Sequence, residues 1–200
     1  MTARFTLLPD PRFDALAAPL AQRMRDAAGA IEWQTFPDVL DPLMRSVLDT
    51  ALSAAGADEG TIWLVERSGE ALVPAYNTGP NAAAFVGSFR QPLTHGLISM
   101  VFATQQLFCD NQVYRNELQN KGLDQMLGLV TCAMIAVPFF YARESRGVLS
   151  CVQLRRQGSE AAERTGFAPN ALRQIQRVAA VLGRLIDHYL LGTTVGWVER

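Results

Sequence analysis

Lysine is almost absent from this chain: Lys121 is the sole one, and arginine supplies the other basic side chains. Codon composition accounts for that bias better than chemistry does. The formal net charge is only −1, so the basic surplus of a general nucleic-acid binder is missing. The local basic pairs, Arg143 with Arg146 and Arg155 with Arg156, fall near turns or strand ends and read as solvated charge. Long apolar runs are missing too. The longest, residues 131–141, is strand-length, well short of the roughly 20 residues a spanning helix needs. Residues 1–10 lack the positive start and apolar stretch of a signal peptide. Cysteine is scarce and odd in number, with Cys109, Cys132 and Cys151 spaced for neither a disulfide framework nor a zinc site. A reducing cytoplasm is the simplest compartment for such a chain. Histidine is limited to His95 and His188, which leaves few triads to build. No Gly-x-Ser-x-Gly elbow, His-Glu-x-x-His pair or phosphate-binding glycine loop is present. The hydrolase and metalloenzyme classes therefore find no complete residue set.

What remains is ample material for a core. Hydrophobic residues make up 49% of 200 positions, enough for one generous α+β domain. Phe13, Leu16, Ala17, Leu20 and Met24 recur at helical spacing, with Pro19 expected to kink or shorten that first helix. A cleaner helix follows: Asp41 suits its N-cap, Pro42 its first position and Gly56 its end, and Leu43, Met44, Val47, Leu48, Ala51, Leu52 and Ala55 are expected to share one apolar face. Periodicity then changes from helix to strand. Residues 61–66 and 71–76 form a hairpin, 89–93 a third strand, and Gly96 a hinge into a helix through Ile98, Val101 and Phe102. Residues 106–109 read as a short strand and 114–129 as a polar, mobile helical lid. The strongest β signal comes last. Residues 131–141 and 147–155 are near-continuous apolar arms around a polar tip at 142–146, which places them centrally with both faces covered. After a surface loop at 157–166, a long amphipathic helix spans about residues 169–191, and the tail 192–200 is expected to fray, with Val195 and Trp197 free for a partner.

This order, with four local passages, resembles the GAF domain family of small-molecule sensors. Asp58-Glu59-Gly60-Thr61-Ile62-Trp63-Leu64-Val65 is similar to the family's first strand, and residues 92–110 to its glycine-opened helix, short strand and aspartate. Met134-Ile135-Ala136-Val137-Pro138 is similar to the strand before the last hairpin, and Gly147-Val148-Leu149-Ser150-Cys151-Val152-Gln153-Leu154 to the final strand. The resemblance implies a GAF-like (PAS-like) central antiparallel sheet of five or six strands. Amphipathic N- and C-terminal helices would lie on one face and a ligand pocket on the other. It divides the chain into an extension at 1–37, a sensor domain at 38–191 and a tail at 192–200.

The candidate ligand-binding residues are His95 and Gly96 at the pocket-helix start, Phe102 on that helix, Asp110 and Asn111 after the short strand, and Tyr114 and Asn116 at the start of the lid. Trp63 and Phe85 are weighed as pocket aromatics, with plain core as the alternative. Cyclic-nucleotide binders of the family carry an Asn-Lys pair and a Phe-x-x-x-Asp-Glu. Here Arg155-Arg156 and Phe167 with Ala171-Leu172 stand in those places. Some relatives reduce free methionine sulfoxide through paired cysteines and others attach bilins, but Cys132 and Cys151 lie inside apolar strands where burial makes thiols inert. The resulting expectation is a non-enzymatic sensor with no cofactor, metal, nucleic acid or membrane. It binds an unidentified small molecule and signals either through a homodimer formed by its terminal helices or through a separate effector protein in trans. An assembly module with a vestigial pocket is the second expectation, and a methionine sulfoxide reductase the third.

Overall fold

The computed structural model describes residues 11–158 and 165–196, so the arm at 1–10, most of the loop after residue 158 and Trp197 lie outside the described residues. Helix α1 (Pro11–Gly29) runs unbroken through Pro19, contrary to the expected kink. Residues 14–19 are all exposed, and solvent can take the carbonyl that the proline ring leaves without a donor. A single turn, α2 (Phe36–Val39), leads to α3 (Pro42–Ala55). There the Asp41 carboxylate accepts from Met44 N at 2.7 Å, and Gly56 closes the helix in the left-handed conformation at φ 72°.

Six antiparallel strands follow in the spatial order β3-β2-β1-β6-β5-β4. They are β1 (Glu59–Val65), β2 (Ala71–Asn77), β3 (Gln91–Pro92), β4 (Phe108–Asp110), β5 (Leu129–Tyr141) and β6 (Glu144–Arg156), with a single helical turn, α4 (Ala82–Phe85), between β2 and β3. Strand β3 is shorter than the expected 89–93 because only Gln91 and Pro92 reach β2. The last hairpin is tighter than its polar tip suggested. Ala142 and Arg143, both at positive φ (51° and 62°), make a two-residue turn, so the strands run almost to the tip.

Strand periodicity sorts the side chains onto two faces. Ile62, Leu64, Ile135, Val137, Phe139, Leu149 and Cys151 meet Phe36, Leu48, Leu52, Ile175, Leu182 and Ile186 from the helices. The principal cover of that face is α7 (Ala171–Val195), which extends past residue 191 where fraying was expected. Two bare glycines set the approach: a Cβ at Gly183 of α7 would lie 2.1 Å from the Phe140 carbonyl, and one at Gly60 of β1 would lie 2.7 Å from Leu52. Ala142 N also donates to Asp187 of α7 at 2.6 Å, tying the hairpin tip to the helix. On the opposite face, Trp63, Leu72, Met134, Ala136 and Val148 form a smaller core with Leu97, Ile98 and Val101 of α5 (Leu97–Thr104) and with Val113. Among the described residues, no helix is long and apolar enough to cross a membrane.

Candidate functional site

Between this second face and the segment above it lies a cavity of about 60 Å³. Its floor is the central sheet. Glu59, Thr61 and Trp63 of β1 alternate onto it, as do Ser150, Val152 and Leu154 of β6. One wall is the N-terminal turn of α5, with Leu97 and Ile98. The roof is Gln119, Asn120 and helix α6 (Gly122–Leu127), which contributes Leu123, Asp124 and Leu127.

Polar bonds fasten that roof. Asp124 accepts from the Thr131 backbone N–H at 2.8 Å, the Thr131 hydroxyl at 2.6 Å and Gln119 Nε2 at 3.1 Å. Helix α6 buries no side chain completely; Leu123 packs against the smaller core, and the carboxylate latch ties the helix to β5. At the other edge Gln91, only 3% exposed, bridges three elements. Its Nε2 donates to the His95 carbonyl at 2.6 Å and to Ser99 Oγ at 3.2 Å, while its Oε1 accepts from Asn120 Nδ2 at 2.9 Å. Gly96, at φ 97°, is the residue that admits this arrangement, because a Cβ there would lie 2.5 Å from Gln91 Nε2. Across the floor, Trp63 Nε1 donates to Ser150 Oγ at 2.9 Å, which fixes the indole plane.

Glu59 is the unusual member. It is 6% exposed, and burial, the largest influence, raises its pKa above the ordinary value; the Asn77 hydrogen bond opposes that and the nearby Asp58 charge adds to it. Gly79 lies so close over Glu59 Oε2 that any side chain at residue 79 would displace the carboxylate. Among the described residues the ion pairs are Arg67–Glu32, Arg90–Glu66 and Arg146–Glu144, none of which reaches it.

None of the seven residues singled out from sequence lines the cavity. His95 is exposed, with its ring Nδ1 3.3 Å from Thr94 Oγ1, and His95 and Gly96 support the site from behind through Gln91. Phe102 packs against the smaller core. Asp110 accepts from Gln112 N at 2.8 Å and from Asn116 Nδ2 at 3.2 Å, an internal turn. Asn111 exchanges two hydrogen bonds with the Phe167 backbone, at 2.8 and 3.2 Å, and so anchors the approach to α7. The Tyr114 ring lies between the guanidinium groups of Arg115 and Arg155, at 5.4 and 6.0 Å. Of the aromatics weighed beside them, Trp63 lines the cavity and Phe85 is plain core. Sequence reasoning missed Glu59, Gln91, Gln119, Asn120 and Asp124. A signal existed for the first: Glu59, Thr61 and Trp63 share one strand phase, which puts an acid on the face of a buried tryptophan.

The thiols stand apart from this site. Cys132 and Cys151 are buried, Cys109 is exposed, and none lines the cavity. Burial pushes the Cys151 thiol up to about 12 and also raises Cys109, where the neighbouring Asp110 charge adds.

A family model described as "GAF domain" matches residues 39–187. Comparison with curated protein sequences returns no match. Among solved structures, the GAF domain of a phosphoenolpyruvate-protein phosphotransferase from Coxiella burnetii superposes with a TM-score of 0.61 at 16% identity, covering 92% of this chain and 99% of that one. The corresponding Acinetobacter domain gives 0.56 at 18% identity, covering 88% and 94%. The free methionine-R-sulfoxide reductase of Neisseria meningitidis gives 0.51 at 18% identity, covering 94% and 99%. Matching strand order, helix placement and family model agree with one another, and the chain belongs to the GAF domain family.

Proposed function

We propose that this GAF domain is a non-enzymatic sensor that holds a small molecule in the cavity beneath α6 and passes its occupancy to α7. The observation that carries the reading is the cavity itself, a partly apolar chamber with convergent polar groups and a polar-latched roof. Strands β5 and β6 supply side chains to both the cavity and the α7 interface, so a ligand that shifts the floor acts on α7 through a single layer. Output goes to a second copy or to an effector protein in trans. The exposed Leu16 of α1 (58%) and Val181 and Val195 of α7 (44% and 42%) support docking of another copy along the terminal helices.

A reductase role would need a nucleophilic thiolate next to the bound substrate. The cavity presents none, and the buried Cys151 thiol stays protonated at neutral pH. These facts favour sensing over the chemistry of the Neisseria protein.

Native mass spectrometry of the protein purified from its own source tests the reading. The expected result is a co-purifying small molecule that is lost in Ile98→Trp, which fills the cavity from α5. A protein that stays empty and binds no small molecule would favour a pure assembly module.

A further inference from the structure

The charge inventory of the cavity narrows the ligand. Two carboxylates, Glu59 and Asp124, line it, and among the described residues no Arg, Lys or His does. Asp124 is already occupied by Thr131 and Gln119. Glu59 is not: it is nine-tenths buried, with an Asn77 hydrogen bond as its support and no ion pair among the described residues. Gln119 adds a second open acceptor. Gln119 turns its NH₂ toward Asp124, which leaves Oε1 facing away. That oxygen is buried and has no hydrogen-bond partner among the described residues. The remaining amides close on themselves, with Asn120 on Gln91 and Gln91 on His95 and Ser99.

A buried carboxylate without a counter-ion and a buried carbonyl without a donor are both costly. A bound group that brings positive charge and N–H donors would satisfy both. An anion would instead meet two carboxylates in a site shielded from water. The other walls, Trp63, Leu97, Ile98, Leu123 and Met134, suit a compact apolar body. The cavity has room for about four to six water-sized groups.

We propose that the cavity is selective for a small organic ammonium ion, with Glu59 as the counter-ion and Gln119 Oε1 as a second acceptor for its N–H groups. This rests on the sensor reading above and specifies the ligand class.

Three probes with one branched apolar body separate the possibilities: isobutylamine, isobutanol and isobutyrate. Each is titrated into ¹⁵N-labelled full-length protein at pH 7.5, following the Trp63 indole N–H and the Gln119 side-chain amide by NMR. Isobutylamine is expected to bind at least tenfold more tightly than isobutanol, and isobutyrate to give no saturable shift. In Glu59→Gln the preference for the amine over the alcohol should disappear. Equal binding of amine and alcohol to the unsubstituted protein would overturn the ammonium assignment while leaving a ligand cavity intact. So would a tenfold preference that survives Glu59→Gln, or saturable binding of isobutyrate. Failure of all three probes to shift the Trp63 signal would overturn the cavity reading together with the ligand class. The comparison of probes on the unsubstituted protein needs no variant to fold.

Discussion

Removing the Asp124 carboxylate should open the cavity roof without unfolding the domain. In Asp124→Ala, Thr131 loses the acceptor for both its backbone N–H and its hydroxyl, and it is only 5% exposed. Gln119 Nε2 loses its partner as well. A hydrogen bond to a charged group contributes about 1.5–3 kcal/mol, and a stranded buried donor costs about 1–3 kcal/mol. The two overlap, and water reaches Thr131 once α6 lifts, so the net penalty on the closed roof is about 2–4 kcal/mol. That corresponds to roughly 30- to 1000-fold in the opening equilibrium. Hydrogen exchange reads it directly. Protection of the amides from residue 122 to residue 131 should fall by that factor, while the amides of α3 and the middle of α7 keep theirs. Asp124→Asn, which retains one acceptor, should fall between. Unchanged protection in Asp124→Ala would mean that Leu123 and Leu127 hold the roof by packing, and the latch argument would be wrong.

Four further outcomes follow from the same geometry. Glu59→Gln should raise the thermal midpoint at pH 7.5 and raise it less at pH 4: the native pKa of Glu59 is raised, so its stabilising contribution is complete below the unfolded pKa and is lost as pH climbs through the native one. A gain that is equal at both pH values would contradict this. Gly183→Ala should destabilise by about 1–3 kcal/mol, because its Cβ would meet the Phe140 carbonyl at 2.1 Å, and calorimetry should record about 2–4 °C per kcal/mol. Thiol titration at pH 8 should modify Cys109 first and leave Cys151 unreacted until the domain unfolds, given a thiol pKa near 12 behind complete burial. Sedimentation at micromolar concentration should give a dimer that Val181→Glu weakens; a monomeric parent protein would end the terminal-helix proposal.

The fold was legible because its signals are local and periodic. Asp41, Pro42 and Gly56 mark α3 to within a residue, and the apolar runs of β5 and β6 announce a pair buried on both faces. Local rules misjudged positions where context wins. Pro19 sits in a helix because its surroundings are exposed, and Ala142 and Arg143 adopt positive φ because the strand pair pulls the turn tight. The cavity was harder to read. Gln91, Asn120 and Asp124 are ordinary polar residues in loops or a short helix, and their role comes from contacts with residues up to 29 positions away. The aspartate and asparagines at 110, 111 and 116 look like ligand groups in sequence, yet the chain uses them to tie its own turns and the α7 approach. Glu59 was readable in principle, since strand phase alone places its carboxylate beside Trp63.

The sensor proposal requires that a small molecule bind in the space between β1, β6 and α6. Chemical-shift mapping of the full-length protein with isobutylamine addresses it most directly. Saturable perturbations are expected on the Trp63 indole, Gln119, Asn120 and the amides of α6, with smaller shifts propagating to α7. Perturbations confined to other surfaces, such as the groove formed by Leu107, Phe140 and α7, or no saturable perturbation at all, would contradict it.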